Sequence, residues 1–82
     1  MIIKVLERHI LEGSPCEQGK CPIALAMRDA GITSPHVASL YVLYVSNGVA
    51  RSSSLPKEAR DFVRNVDVGN AVEPFEFELS GT

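Results

Sequence analysis

The run "HVASLYVLYVSNGVARSS", residues 36 to 53, decides how this chain folds. Its first ten residues are rich in β-branched and aromatic side chains, which predicts a strand over 36–45. Val37, Tyr41, Leu43 and Val45 would then share one face, and Ala38, Leu40, Val42 and Tyr44 the other. Both faces are largely apolar, the pattern of a central strand covered on two sides. Asn47 and Gly48 follow, a pair that accepts the positive φ values a tight hairpin turn demands. The chain must therefore return along 49–53, and a two-residue turn sets the register, with Val45 opposite Ala50 and Leu43 opposite Ser52.

Beyond the hairpin, "LPKEARDFVRNV" (55–66) reads as a helix opened by Pro56, with Glu58 in its first turn. Ala59, Phe62, Val63 and Val66 recur at i, i+3, i+4 and i+7 and form one apolar stripe, and Gly69 ends the segment. "PFEFEL" (74–79) alternates Phe75, Phe77 and Leu79 with Glu76 and Glu78. That is a half-buried strand, and its proline and glutamates suit an edge.

On the other side of the hairpin, Pro22 suits the first position of a helix, where its missing N–H has no partner to lose. "PIALAMRDA" supplies strong helix formers and Gly31 a C′ residue. Ile23, Met27 and Ala30 fall on one side, and Leu25 with the alanines widens the apolar surface, so a well-buried helix is expected. "IIKV" (2–5) reads as a short strand and "LERHILE" (6–12) as a helical turn ended by Gly13. The predicted order is β–(turn)–α–β–β–α–β. This is a single α+β domain over 1–82, with one mixed or antiparallel sheet of about four strands and two helices packed on it. Two-sided hydrophobicity in 37–45 calls for a further contact, which a homodimer through the sheet or the helical turn at 6–12 would supply, so both a monomer and a homodimer stay open.

A chain of 82 residues is one small domain, and such domains bury only about 60% of their unfolded surface. Eight Lys and Arg against ten Asp and Glu give a net charge of −2, which argues against a general electrostatic grip on nucleic acid or anionic membrane. Lys4, Glu7, Arg8 and His9 interrupt the first apolar residues, so no signal-peptide core forms. The longest near-apolar run, 37–45, falls far short of the roughly 20 residues a membrane helix needs. A cytoplasmic protein with reduced thiols is the expectation.

The two cysteines stand in "SPCEQGKCPIALAMRDAG" (14–31). A zinc site would take Cys16 and Cys21 with His9 and His36, a spacing of H-x₆-C-x₄-C-x₁₄-H that matches no standard finger. A redox role would draw on Cys21 at a helix N-terminus beside Lys20, where a thiolate is favoured, but no C-x-x-C pair follows a strand. The reading preferred is the plain one: Cys21 as a small N-cap-like residue and Cys16 as a loop thiol, with no cofactor.

Lys57, Arg60 and Arg64 lie opposite the apolar stripe of the second helix, and Arg51 on the preceding strand extends them as a candidate anion or nucleic-acid surface. Asp61 sits among them and no aromatic accompanies them for stacking, so a solvated helix face is preferred. The hydroxyls of Ser52, Ser53 and Ser54 at a helix start lack any glycine-rich phosphate loop. Glu76 and Glu78, on one exposed strand face, form no pocket. No arrangement of nucleophile, base and acid emerges, and an enzyme is not expected.

The string "C…CPIALAMRDAG" with "LPKEARDFVRNVDVGNAVEPFEFEL" resembles a group of short proteins encoded by bacteriophages and prophages. The resemblance runs over nearly the whole chain. It implies an accessory protein of a phage or integrated element that binds a host component, and it carries no activity and no functional residue with it. The expected function is non-enzymatic binding of a host or phage macromolecule, chiefly a protein, through strand 75–79 and loop 13–21. A nucleic-acid or nucleotide-binding module on Arg51, Lys57, Arg60 and Arg64 is the alternative, and a zinc or thiol site a third reading.

Overall fold

A computed structural model describes residues 1–14 and 17–79. The chain runs β1 (Ile2–Val5), α1 (Glu7–Glu12), α2 (Pro22–Asp29), β2 (Thr33–Val37), β3 (Tyr41–Ser46), β4 (Val49–Ser54), α3 (Lys57–Asp67) and β5 (Phe75–Glu78). It is a small α+β domain, as its pattern predicts, but its strands form two antiparallel sheets rather than one. β1 pairs with β5 alone, and β2, β3 and β4 form a separate sheet in that order. The hairpin register is the predicted one, with Val45 opposite Ala50 and Leu43 opposite Ser52. Asn47 at φ 51° and Gly48 at φ 77° form the turn that produces it.

The single strand expected over 36–45 is corrected to two. β2 ends at Val37, residues 38–40 turn the chain, and β3 begins at Tyr41. The loop closes through the Ala38 N–H, which donates to the Tyr41 carbonyl at 2.8 Å, and the Leu55 N–H, which donates to that of Leu40 at 3.0 Å. A proline inside 33–37 argues against a strand in sequence terms. The structure accommodates Pro35 with a bulge: the register slips by one residue between Thr33 and His36, and Ser34 takes φ 50°.

Two-sided coverage of β3 is likewise not found. Val42 and Tyr44 are buried, whereas Tyr41 and Leu43 on the opposite face are 47% and 44% exposed. One face packs on the core and the other meets solvent, the usual state of an antiparallel sheet.

The core joins Val42, Tyr44 and Val37 to Ile23, Ala24, Ala26 and Met27 of α2, Ala59, Phe62 and Val63 of α3, Ile3 and Val5 of β1, and Phe77 of β5. Phe62 meets Phe75 at 4.7 Å between ring centres, and Phe75 meets Phe77 at 5.7 Å, which ties α3 to the small sheet. Ala30, expected on the buried side of α2, is exposed at its C-cap. Gly31 (φ 90°) and Gly69 (φ 83°) end α2 and α3 in matching ways. In each case the glycine N–H and the N–H after it reach back to carbonyls of the last turn: Gly31 to Arg28, Ile32 to Met27, Gly69 to Val66, Asn70 to Asn65.

Candidate functional site

α1 is held to the start of the domain by His9, a nearly fully buried side chain. Its Nδ1 accepts the Leu6 N–H at 2.9 Å, so the ring proton sits on Nε2, which donates to Asp29 at 2.6 Å. Arg8 reaches the same carboxylate at 2.7 Å. The His9 hydrogen bond holds the Asp29 carboxyl below its ordinary range, and Arg8 adds to this. Both ring nitrogens are therefore committed to joining α1 to α2.

Of the other residues considered for zinc, Cys21 is the buried N-cap of α2, His36 is exposed on β2 opposite Leu43, and Cys16 lies outside the described residues. Among the described residues no three His, Cys, Asp or Glu side chains converge on one point.

Cys21 does not behave as the activated thiol that its place at a helix N-terminus suggests. Burial pushes its thiol above the ordinary value, outweighing the N–H groups of Ala24 and Ile23, and the charge of Asp67 pushes the same way. It stands at a cleft of about 280 Å³ lined by Glu17, Gln18, Val37, Val63 and Asp67. The acidic rim disfavours a thiolate, so this thiol packs as a small apolar group.

Lys57, Arg60 and Arg64 do share one groove, about 330 Å³, with Asp61 between them and Ser39 and Leu40 as its other wall. Asp61 accepts from Lys57 at 3.0 Å and lies 3.6 Å from Arg64, and the hydrogen bond from Lys57 chiefly holds its carboxyl below the usual range. Arg60 makes no ion pair within 4.0 Å among the described residues. Arg51 sits opposite Tyr44 on β4 and is not part of this groove's lining.

Sequence reasoning missed the outer face of the larger sheet. Tyr41, Leu43 and Val45 stand there beside Ala50, Ser52 and Ser54 of β4, with His36 of β2 opposite Leu43. No Asp, Glu, Lys or Arg occupies these positions. Large side chains on β3 next to small ones on β4 leave a trough of about 280 Å³ lined by Tyr41, Leu43 and Ser52–Ser54. The alternation within "YVLYV" against "ARSSS" encodes this step in height once the strand is known to be covered on one side only.

The contact surfaces expected from the sequence fare differently. On β5, Phe77 and neighbouring Leu79 are buried and Phe75 is half-buried, leaving Glu76 and Glu78 outward. Loop 13–21 is closed by the Ser14 N–H on the Lys20 carbonyl, and its residues 15 and 16 lie outside the described set. No helix among the described residues is long and apolar enough to cross a membrane.

No protein-family model matches this chain, and neither the curated proteins nor the solved structures contain a match to it.

Proposed function

We propose that this chain is a small non-enzymatic accessory protein that acts in the cytoplasm by binding a protein partner through surface contact. The observation that carries this reading is the outer face of the β2–β3–β4 sheet. Tyr41 and Leu43 are nearly half exposed there, with the small side chains of Ala50, Ser52 and Ser54 beside them. Large exposed side chains on a sheet face without charged residues mark contact sites more often than they mark an ordinary wet face. The resemblance to phage-encoded proteins supports a host or phage component as the partner.

The second reading, a nucleic-acid or nucleotide binder, rests on the groove of Lys57, Arg60 and Arg64. Asp61 neutralises part of that charge and no aromatic lines the groove, so it ranks behind.

Immobilised protein incubated with bacterial extract separates the two. A protein partner retained by the wild type and lost from Tyr41→Ser/Leu43→Thr supports the leading reading. Steeply salt-dependent binding of DNA or RNA, abolished by Lys57→Glu/Arg60→Glu, supports the second. Retention of nothing by the wild type removes the first.

A further inference from the structure

The strands of this molecule are not equally protected at their edges. β2 carries the bulge and buried Pro35, and the Gln18 carbonyl covers its outer side by accepting the Val37 N–H at 3.0 Å. β1 and β5 place Lys4, Glu76 and Glu78 outward. These are the devices by which edges resist pairing. β4 has none of them beyond Arg51: it is regular over six residues, free of proline, and rich in serine. Among the described residues no strand pairs with its far side.

The turn fixes which backbone groups that edge offers. In a two-residue hairpin the flanking residues Ser46 and Val49 are a hydrogen-bonded pair, and the pattern alternates from there. Val49, Arg51 and Ser53 therefore point their N–H and C=O groups at β3, and Ala50, Ser52 and Ser54 point theirs outward, the Ser54 carbonyl there accepting the Ser53 hydroxyl at 3.4 Å. The same three residues floor the outer face beside the Tyr41–Leu43 ridge. A strand added at this edge would lay alternate side chains over small residues and against that ridge.

We propose, building on the protein-binding role above, that the partner supplies an extended peptide that adds to the edge of β4. Its bulky apolar side chains fill the trough by Tyr41 and Leu43, and its carboxylates reach Lys57 and Arg60. Charge complementarity selects the acidic end. Two chain segments link trough and groove: Tyr41 of the one follows Leu40 of the other, and Ser54 of the trough lies three residues before Lys57 of the groove. A second copy pairing through its own β4 would bring only Ala50, Ser52 and Ser54 to the trough, leaving Tyr41 and Leu43 uncovered. Nucleic acid has no use for an open strand edge, and no aromatic side chain lines the groove for its bases to stack on. Main-chain bonds thus provide affinity, and the trough and groove provide selection.

The test is selection of short random peptides displayed on yeast against the intact protein. Enriched sequences should alternate bulky apolar with polar residues and carry Asp or Glu near one end. A synthetic enriched peptide should bind Ser52→Pro, which loses an outward N–H, about tenfold more weakly than wild type. Should Ser52→Pro fail to fold, methylating alternate backbone nitrogens of the peptide tests the same bonds and should weaken binding equally. Lys57→Glu/Arg60→Glu should weaken binding and remove its salt dependence. Enriched peptides without alternation, no enrichment, or binding unchanged by both Ser52→Pro and peptide methylation would overturn the proposal. A partner captured from extract that the peptide does not displace overturns this edge site while leaving the binding role standing.

Discussion

His9 shows how much one side chain carries in so small a domain. It joins the Leu6 backbone to Asp29, and replacing it with alanine strands the Leu6 N–H and opens a void, a loss of about 2–3 kcal/mol. His9→Asn restores an acceptor at the Nδ1 position and should recover roughly half of that in chemical denaturation. Arg8→Ala should leave stability almost unchanged in the same measurement, because its ion pair with Asp29 lies in solvent. Cys21 yields a pH prediction. Its folded-state thiol titrates above the ordinary value of 9.0, so the stability it contributes is intact below that pH and is lost as pH rises through the folded value. Melting temperature measured against pH should fall more steeply above 9 for the wild type than for Cys21→Ala.

Among the elements, the glycines that end the helices divide by cause. Gly31 needs its positive φ and has open space around it, so Gly31→Ala should cost about 1 kcal/mol. Gly13 has an ordinary φ of −71°, but a Cβ there would lie 2.6 Å from Pro22 Cδ and 2.8 Å from the His9 carbonyl oxygen. Gly13→Ala should therefore destabilise more than Gly31→Ala, by forcing α1 away from α2, and paired thermal melts decide the order. The same contrast between local and distant causes governs what could be read from the sequence. α2, α3 and the hairpin register were legible because Pro22, Pro56, Gly31, Gly69 and Asn47–Gly48 act on their own neighbourhoods, and β1 and β5 because of their short apolar patterns, whereas α1 was read only as a helical turn. The break at 38–40 was not, since Ala38, Ser39 and Leu40 carry no turn signal and the loop is made by bonds to Tyr41 and from Leu55. β2 was hidden by Pro35, which only a bulge admits.

At the scale of the molecule, the division into two sheets depends on which strands meet across most of the chain, and Ile3 opposite Phe77 leaves no local trace. The candidate site was legible in part. Lys57, Arg60 and Arg64 do line one groove, yet the trough on the outer sheet face follows from β3 being covered on one face, which its apolar composition concealed. What unites fold and function in this account is the bare edge of β4 beside an uncharged ridge. Amide hydrogen exchange read residue by residue by NMR tests that most directly. Arg51 and Ser53 should exchange slowly, with Ala50, Ser52 and Ser54 fast between and beside them. Uniform protection along 49–54 would mean that the edge is already paired, and uniformly fast exchange that the strand does not form; either result would contradict the account.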